Sequence, residues 1–213
     1  MQEYTLTCIN NSELHGSFAL YQVPPQARGP TGPASLVWLA RPAAPGTHVR
    51  FSWSTEIGFI WGERGTFRGQ TTFTAYQYVA ADPDRENVID LTADNFGAPT
   101  FQNLRIGSPQ GTMTVRQLSV TFDFPVHLGV ALGKSPIYTV DFNANVLSTF
   151  IPHRDRCWVA FGSYTAGEAL DVGALTNVQV VDFSSTSPSQ EVILTPQNIL
   201  RKATARNVSR PFA

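Results

Sequence analysis

His153, Asp155 and Cys157 alternate along one short stretch, and an imidazole, a carboxylate and a thiol are the parts of a cysteine nucleophile. Their spacing argues against that chemistry. In an extended strand, residues four apart stand about 13 Å from each other at ~3.3 Å per residue. A nucleophile and its base must meet at about 3 Å, so only a sharp turn after Pro152 rescues the set. Gly133-Lys134-Ser135 ends like a phosphate-binding loop, but position 128, which that loop needs as glycine, is Leu. Pro136 and a strand-like run also stand where the helix facing the phosphates must begin. The segment reads as a hairpin turn with a solvated Lys134. Asp82-Pro83-Asp84-Arg85-Glu86-Asn87 imitates a calcium loop, yet Asn87 replaces its sixth-position glycine and Ala93 its twelfth-position glutamate. His15, His48 and His127 lack metal-ligand spacing. These residues imply no catalytic centre, no metal and no cofactor.

Aromatic side chains recur as same-face pairs: Phe51 with Trp53, Phe59 with Trp61, Tyr76 with Tyr78, Phe122 with Phe124. Core and cross-strand packing is their ordinary use. An exposed platform for sugar rings is the other, and Trp53, Trp61, Tyr76 and Tyr78 are its candidates because polar residues flank them. Gly58, Gly62, Gly65 and Gly69 do not follow a dinucleotide fingerprint, and turns and bulges account for them.

Charge is uneven along the chain. Asp82, Asp84, Glu86, Asp90 and Asp94 face only Arg85, a local net of −4, while Arg201, Lys202, Arg206 and Arg210 follow Glu191 with no acidic residue, a net of +4. Ile199, Leu200, Val208 and Phe212 are mixed among those cations, so the segment can pack as well as pair.

The elements that must position these residues are strands. Runs rich in Val, Ile, Thr and aromatics, cut by Gly, Pro, Asn and Asp, recur from Tyr4 to Leu194 at the spacing of a sandwich or barrel. Helical periodicity is nearly absent, with a turn or two expected at Thr165–Leu170 and Asn198–Thr204. Charged residues are 15% of the 213, below the usual share of about 25%, which fits many strands sharing buried faces. The expected fold is all-β: a large antiparallel β-sandwich as one domain over residues 1–196. Residues 197–213 form a basic C-terminal segment that docks on its own or a neighbouring subunit. The apolar phase of the period-two runs places Leu6, Phe18, Leu20, Trp38, Phe51, Val120, Phe122, Val159, Phe161 and Val180 in the core.

Cys8 and Cys157 each lie in an apolar run and are expected buried and inert, with their pairing left open. The net charge of −1 offers no general attraction to nucleic acid or to an anionic membrane. No apolar run reaches the ~18 residues of a membrane helix. Met1-Gln2-Glu3-Tyr4-Thr5 lacks the basic and apolar regions of a signal peptide, so the chain is expected in the cytoplasm or exported without a cleaved leader.

Leu36-Val37-Trp38-Leu39-Ala40-Arg41, Phe51-Ser52-Trp53-Ser54 and Gly58-Phe59-Ile60-Trp61 resemble a small bacterial family. So do the opening Tyr4-Thr5-Leu6-Thr7-Cys8-Ile9-Asn10-Asn11-Ser12, Trp158-Val159-Ala160-Phe161-Gly162 and Gly167-Glu168-Ala169-Leu170-Asp171. Together they resemble the rhizosphere-induced protein family of soil bacteria. The resemblance implies a bacterial, abundantly expressed β protein and carries no functional residue with it.

The reading that follows is a non-enzymatic structural or interaction protein that self-associates into a homo-oligomer or filament. Its partner is a second copy, with the basic segment meeting the acidic one head to tail. A carbohydrate-binding, lectin-like sandwich is the first alternative. A hydrolase with a site built from non-adjacent residues is the second.

Overall fold

The computed structural model describes residues 2–24, 33–67 and 69–203. Strand makes up 58% of it and helix 2%, so the chain is all-β. The first strands are β1 (Glu3–Asn10), β2 (Gly16–Tyr21), β3 (Ala34–Leu36), β4 (Leu39–Ala43) and β5 (His48–Ser54). Two long strands follow, β6 (Ile57–Phe67) and β7 (Gln70–Ala81), then β8 (Val88–Ala93), β9 (Pro99–Arg105) and β10 (Met113–Gln117). The second half adds β11 (His127–Leu132), β12 (Ser135–Asp141), β13 (Leu147–Phe150), β14 (Arg156–Gly162) and β15 (Ala169–Leu170). Last come β16 (Val178–Asp182), β17 (Ser189–Leu194) and β18 (Leu200–Lys202). They form four sheets, ordered β18-β17-β1-β5, β16-β14-β2-β4, β15-β3-β12-β11-β6-β7 and β13-β10-β8-β9. Pairing is antiparallel except for β1 with β17 and β8 with β10.

Alternation explains β1. Tyr4, Leu6 and Cys8 turn inward while Thr5 and Thr7 turn out, and the strand is held on both sides by β17 and β5. Its sheet and the sheet of β2 and β14 meet at both ends, β4 against β5 and β16 against β18. Leu6, Phe51, Phe18, Leu20, Val159 and Val181 fill the space between them, each about 0–1% exposed. Burying one such side chain contributes about 1.5–3 kcal/mol. Trp38 lies in the same cluster, its indole N–H donating to Leu132 O at 2.9 Å. The cluster also takes Ile89, Leu91, Met113 and Val115 from the sheet of β8 and β10, so one core serves all four sheets.

The six-stranded sheet curls until its ends meet. Thr72 bridges Glu168, and Phe73 N–H donates to Gly167 O at 2.9 Å. Leu36, Ile60, Phe73 and Ala131 make a second small core inside the curl. So tight a curl needs missing side chains. A Cβ on Gly58 would strike the Tyr78 ring, and one on Gly62 the Thr74 carbonyl. Gly58 therefore serves close approach rather than a turn, and Gly62 serves it at the β6–β7 bulge. Gly69, at φ +80, does serve the β6–β7 turn.

Several expected elements fall elsewhere. The run Thr112–Phe124 is strand only over β10, and Val120 and Phe122 are half-buried outside any strand. Phe122 still packs against Phe142 with ring centroids 4.9 Å apart. Phe161 is half-buried on Phe18. Val180 points outward and Val181 inward, because Val-Gln-Val-Val-Asp-Phe offers valines in both phases and Phe183 decides for the odd one. Neither expected helical turn forms. Residues 169–170 are β15, and Asn198, at φ 61, makes the tight β17–β18 turn. Gly133 and Lys134, both at positive φ, turn β11 into β12 as expected.

Candidate functional site

A cleft of about 380 Å³ opens where Tyr4 on β1 meets three loops. It is lined by Tyr4, by Pro83 and Asp84 after β7, by Gly111 before β10, and by Pro152, His153, Arg154 and Asp155 before β14. Two buried amides that sequence reasoning passed over hold these loops. Gln22, fully buried, donates to His153 O at 2.6 Å and accepts from His153 N–H at 2.9 Å. Asn87 donates to Pro83 O and Ser108 O and accepts from Gly107 and Ser108 N–H. A polar residue inside an otherwise apolar strand boundary was the only signal for either. The cleft wall is therefore rigid, since each buried amide is satisfied by loop backbone.

Charge in the cleft is organised by Arg154, which donates to Asp82 at 3.0 Å and Asp84 at 3.3 Å. The Asp84 N–H bonded to Asp82 holds that carboxyl below its ordinary value, with help from Arg154. Asp155 has no side-chain hydrogen bond or ion pair among the described residues. Burial, then the charge of Arg156, pulls His153 below its ordinary value, so its ring is neutral at pH 7. Burial, then the charge of Asp155, pushes the Tyr4 hydroxyl up. The Tyr4 ring packs on Phe183 at 5.0 Å and Trp53 at 6.3 Å.

His153 and Asp155 thus share the cleft, and Cys157 does not. Cys157 is 1% exposed and turned into the core. Burial, then Asp182, pushes its thiol far up, and burial, then Cys157, does the same to Cys8. Both thiols are free. With no thiolate and no access, the nucleophile has no geometry.

The four aromatic candidates do not share a face. Trp53, 7% exposed, lies in the core 4.9 Å from Trp38. Tyr78 is half-buried and donates to Glu56 at 2.8 Å. Trp61 and Tyr76 do meet, with centroids 5.5 Å apart. The reason is a bulge: Trp61 pairs Gln77 and Gly62 pairs Ala75, which leaves Tyr76 unopposed and 56% exposed. Its hydroxyl donates to Glu63 at 3.2 Å, and the Trp61 indole to Gln77 at 2.7 Å.

The acidic segment is not an acidic face. Asp90 is 1% exposed beneath Arg105 and Arg116, at 2.9 and 2.8 Å. Burial pushes its carboxyl up, but the bonds from Arg116, Arg105 and Asn103 outweigh it and leave the group below its ordinary value. Asp94 is spent on the turn, accepting from Phe96 and Ala98 N–H. Asp82 and Asp84 share Arg154, while Glu86 and Asp94 are exposed without an ion pair among the described residues. The count of −4 along the chain meets Arg105, Arg116 and Arg154 in space. At the other end, Arg201 and Lys202 are exposed on β18, which pairs with β17 of its own chain. Arg206 and Arg210 lie outside the described residues.

Among the described residues no group of three or more His, Cys, Asp or Glu could hold a metal ion, and no helix is long and apolar enough to cross a membrane. A family model described as RhiA matches residues 1–203. The chain belongs to that family. RhiA is the rhizosphere-induced protein family, in accord with the strand patterns of the sequence. The RhiA match ends at the last described residue, so residues 204–213 lie beyond both. No curated protein and no solved structure matches the chain. Neither the RhiA match nor the geometry positively indicates catalysis.

Proposed function

We propose that this RhiA-family chain is a non-enzymatic interaction protein that self-associates through an exposed sheet edge. The observation that carries it is β13. This strand pairs with β10 alone among the described strands, and it shows water Leu147 at 65% exposure, flanked by Val146 at 42% and Ile151 at 43%. Open edges with apolar side chains are templates for another strand, whose backbone hydrogen bonds supply affinity. The occupant is β13 of a second copy, giving an isologous pair. The basic segment contributes charge that steers the encounter rather than holds it, because exposed charges are screened within about 8–10 Å. Light scattering of the native protein tests the reading: a dimer or larger particle that Leu147→Lys reduces to a monomer supports it. A monomer at all concentrations up to the millimolar range, or an oligomer indifferent to Leu147→Lys, overturns it.

A carbohydrate ligand is the second reading, carried by Tyr76, whose exposed ring is braced by Trp61 and Glu63. A polysaccharide pull-down that Tyr76→Ala abolishes would support it.

A further inference from the structure

Past Gly62, strand β6 leaves the body of its sheet. β11 pairs with it only as far as the His127–Gly62 register, so residues 63–67 and 70–74 run on as a two-stranded ribbon. Such a ribbon is marginal in water, and its anchors decide whether it stays down. On the β7 side they are apolar and backbone: Phe73 in the small core, its N–H on Gly167 O, and the Thr72–Glu168 bridge. On the β6 side the anchor among the described residues is Arg64. It donates to Asp141 Oδ1 and to Thr139 Oγ1, each at 3.0 Å and both on β12.

His127 meets the same carboxylate oxygen. Its Nε2 stands 3.4 Å from Asp141 Oδ1, its side chain is 12% exposed, and its Nδ1 is buried with no hydrogen-bond partner. Arg64 Nε is also buried and unpartnered. Buried polar atoms are ordinarily bonded, so two orphans on side chains that share one carboxylate mark an incompletely satisfied tie. The charges acting on the ring are Arg64 and Glu63 from β6 and Asp141 from β12.

We propose that His127 is a proton-operated latch on the β6–β7 ribbon. With the ring neutral, Asp141 serves Arg64 and the ribbon is tied to β12. A proton added at Nδ1 finds no acceptor and no water, and it sets a second cation against Arg64 over one oxygen. Releasing Arg64 relieves both. Arg64 is already 23% exposed and keeps its charge in water, while Asp141 is left to the ring. Burial, then the charge of Arg64, holds the ring below the ordinary histidine value, which is the sign such a latch requires. A group depressed in the tied state supports the tie above about 6.5 and withdraws that support as pH falls toward the lower value. The latch does not depend on association through β13.

Hydrogen exchange of the full chain tests it, read as protection factors so that the intrinsic pH dependence of exchange cancels. Between pH 7.5 and 5.5, amides of residues 63–66 and 71–74 should lose about three- to tenfold protection. Tenfold is the ceiling set by an open-state value of about 6.5. Amides of β1 are the internal reference and should hold. His127→Gln should abolish the fall, and His153→Gln, which changes a histidine outside the tie, should leave it intact. Arg64→Gln should lower ribbon protection at pH 7.5 and remove its pH dependence. NMR of the unsubstituted chain keeps the test open if His127→Gln does not fold: ribbon amide shifts should follow the His127 ring titration with one midpoint. A fall under threefold, an equal fall in β1 or in His127→Gln, ribbon protection unchanged in Arg64→Gln, or ribbon shifts indifferent to the ring titration overturns the inference.

Discussion

β18 and β13 are both short strands at the end of a four-stranded sheet, each paired on one side, and they differ in what they show to water. β18 buries Leu200 and presents Arg201 and Lys202. Asn177 also closes part of its free side, accepting from Leu200 N–H at 3.0 Å and donating to Asn198 O at 2.6 Å. β13 buries Phe150 and presents Leu147, with Thr149 between Leu147 and Ile151 on the same outward phase. Charges and a covering side chain are how a sheet refuses further strands. One edge is closed by chemistry, and the other is open by the same standard. Topology alone would have ranked them equal.

The largest effect expected around this comparison is on stability. Asp90 anchors Arg116, the residue of β10 opposite Leu147, so the open edge rests on a buried ion pair. Asp90→Ala should cost about 2–4 kcal/mol in urea unfolding, less than the ~3–5 for a fully buried pair because both arginines reach water. A cost under about 0.5 kcal/mol would show the network to be decorative. Next is assembly. Leu147→Lys should weaken self-association at least about tenfold, near 1.4 kcal/mol, while leaving the melting temperature unchanged. Removing residues 204–213 should do less, slowing association at low salt and not at high salt. Deleting from 197 is a poorer test, since it strips β18 from its sheet and bares a new edge on β17.

Asn177→Ala is expected to cost about 1 kcal/mol through its two lost bonds and to speed amide exchange in β18, measured by hydrogen exchange. Faster exchange in β13 instead would blur the distinction between the edges. The smallest effect is pH dependence. His153, and His127 near Asp141, have folded values depressed by burial first and then by arginine charge. Each therefore contributes stability that is fully present above the unfolded histidine value of about 6.5 and fades as pH falls toward the lower folded value. Asp90, also depressed, contributes stability present above the unfolded value of about 3.9 and lost below it. Urea midpoints at pH 7.5, 5.5 and 3.5 should fall in two steps, and Asp90→Ala should flatten only the second.

Legibility followed locality. The inward positions Leu6, Phe18, Leu20, Phe51 and Val159 could be read because period-two alternation is a property of a few neighbouring residues. The hairpin at Gly133-Lys134 could be read because its positive φ values need only its own two residues. Val180 was misplaced where two phases were both apolar and only Phe183, reaching Tyr4 and Trp53, could choose. The cleft was half visible: His153 and Asp155 stood out as chemistry, but the partner drawn for them was Cys157, which is turned into the core, and Asp84 stood out only as part of an acidic run. Tyr4 gave no sign, and Gln22 and Asn87 gave only their polarity at an apolar strand boundary, since the residues they hold are distant in sequence: Gln22 bonds His153, 131 positions away, and Asn87 bonds Ser108, 21 away.

By itself, then, the sequence determined the all-β class, most inward phases and the family. Those rest on spacing between near neighbours, which covalent geometry sets. Only the tertiary structure decided which charges were free. Five acids in thirteen residues looked like a negative face until Arg105, Arg116 and Arg154 arrived from other strands and loops. Coulomb energy depends on distance in space, and the chain brings opposite charges together over separations that no linear count can see.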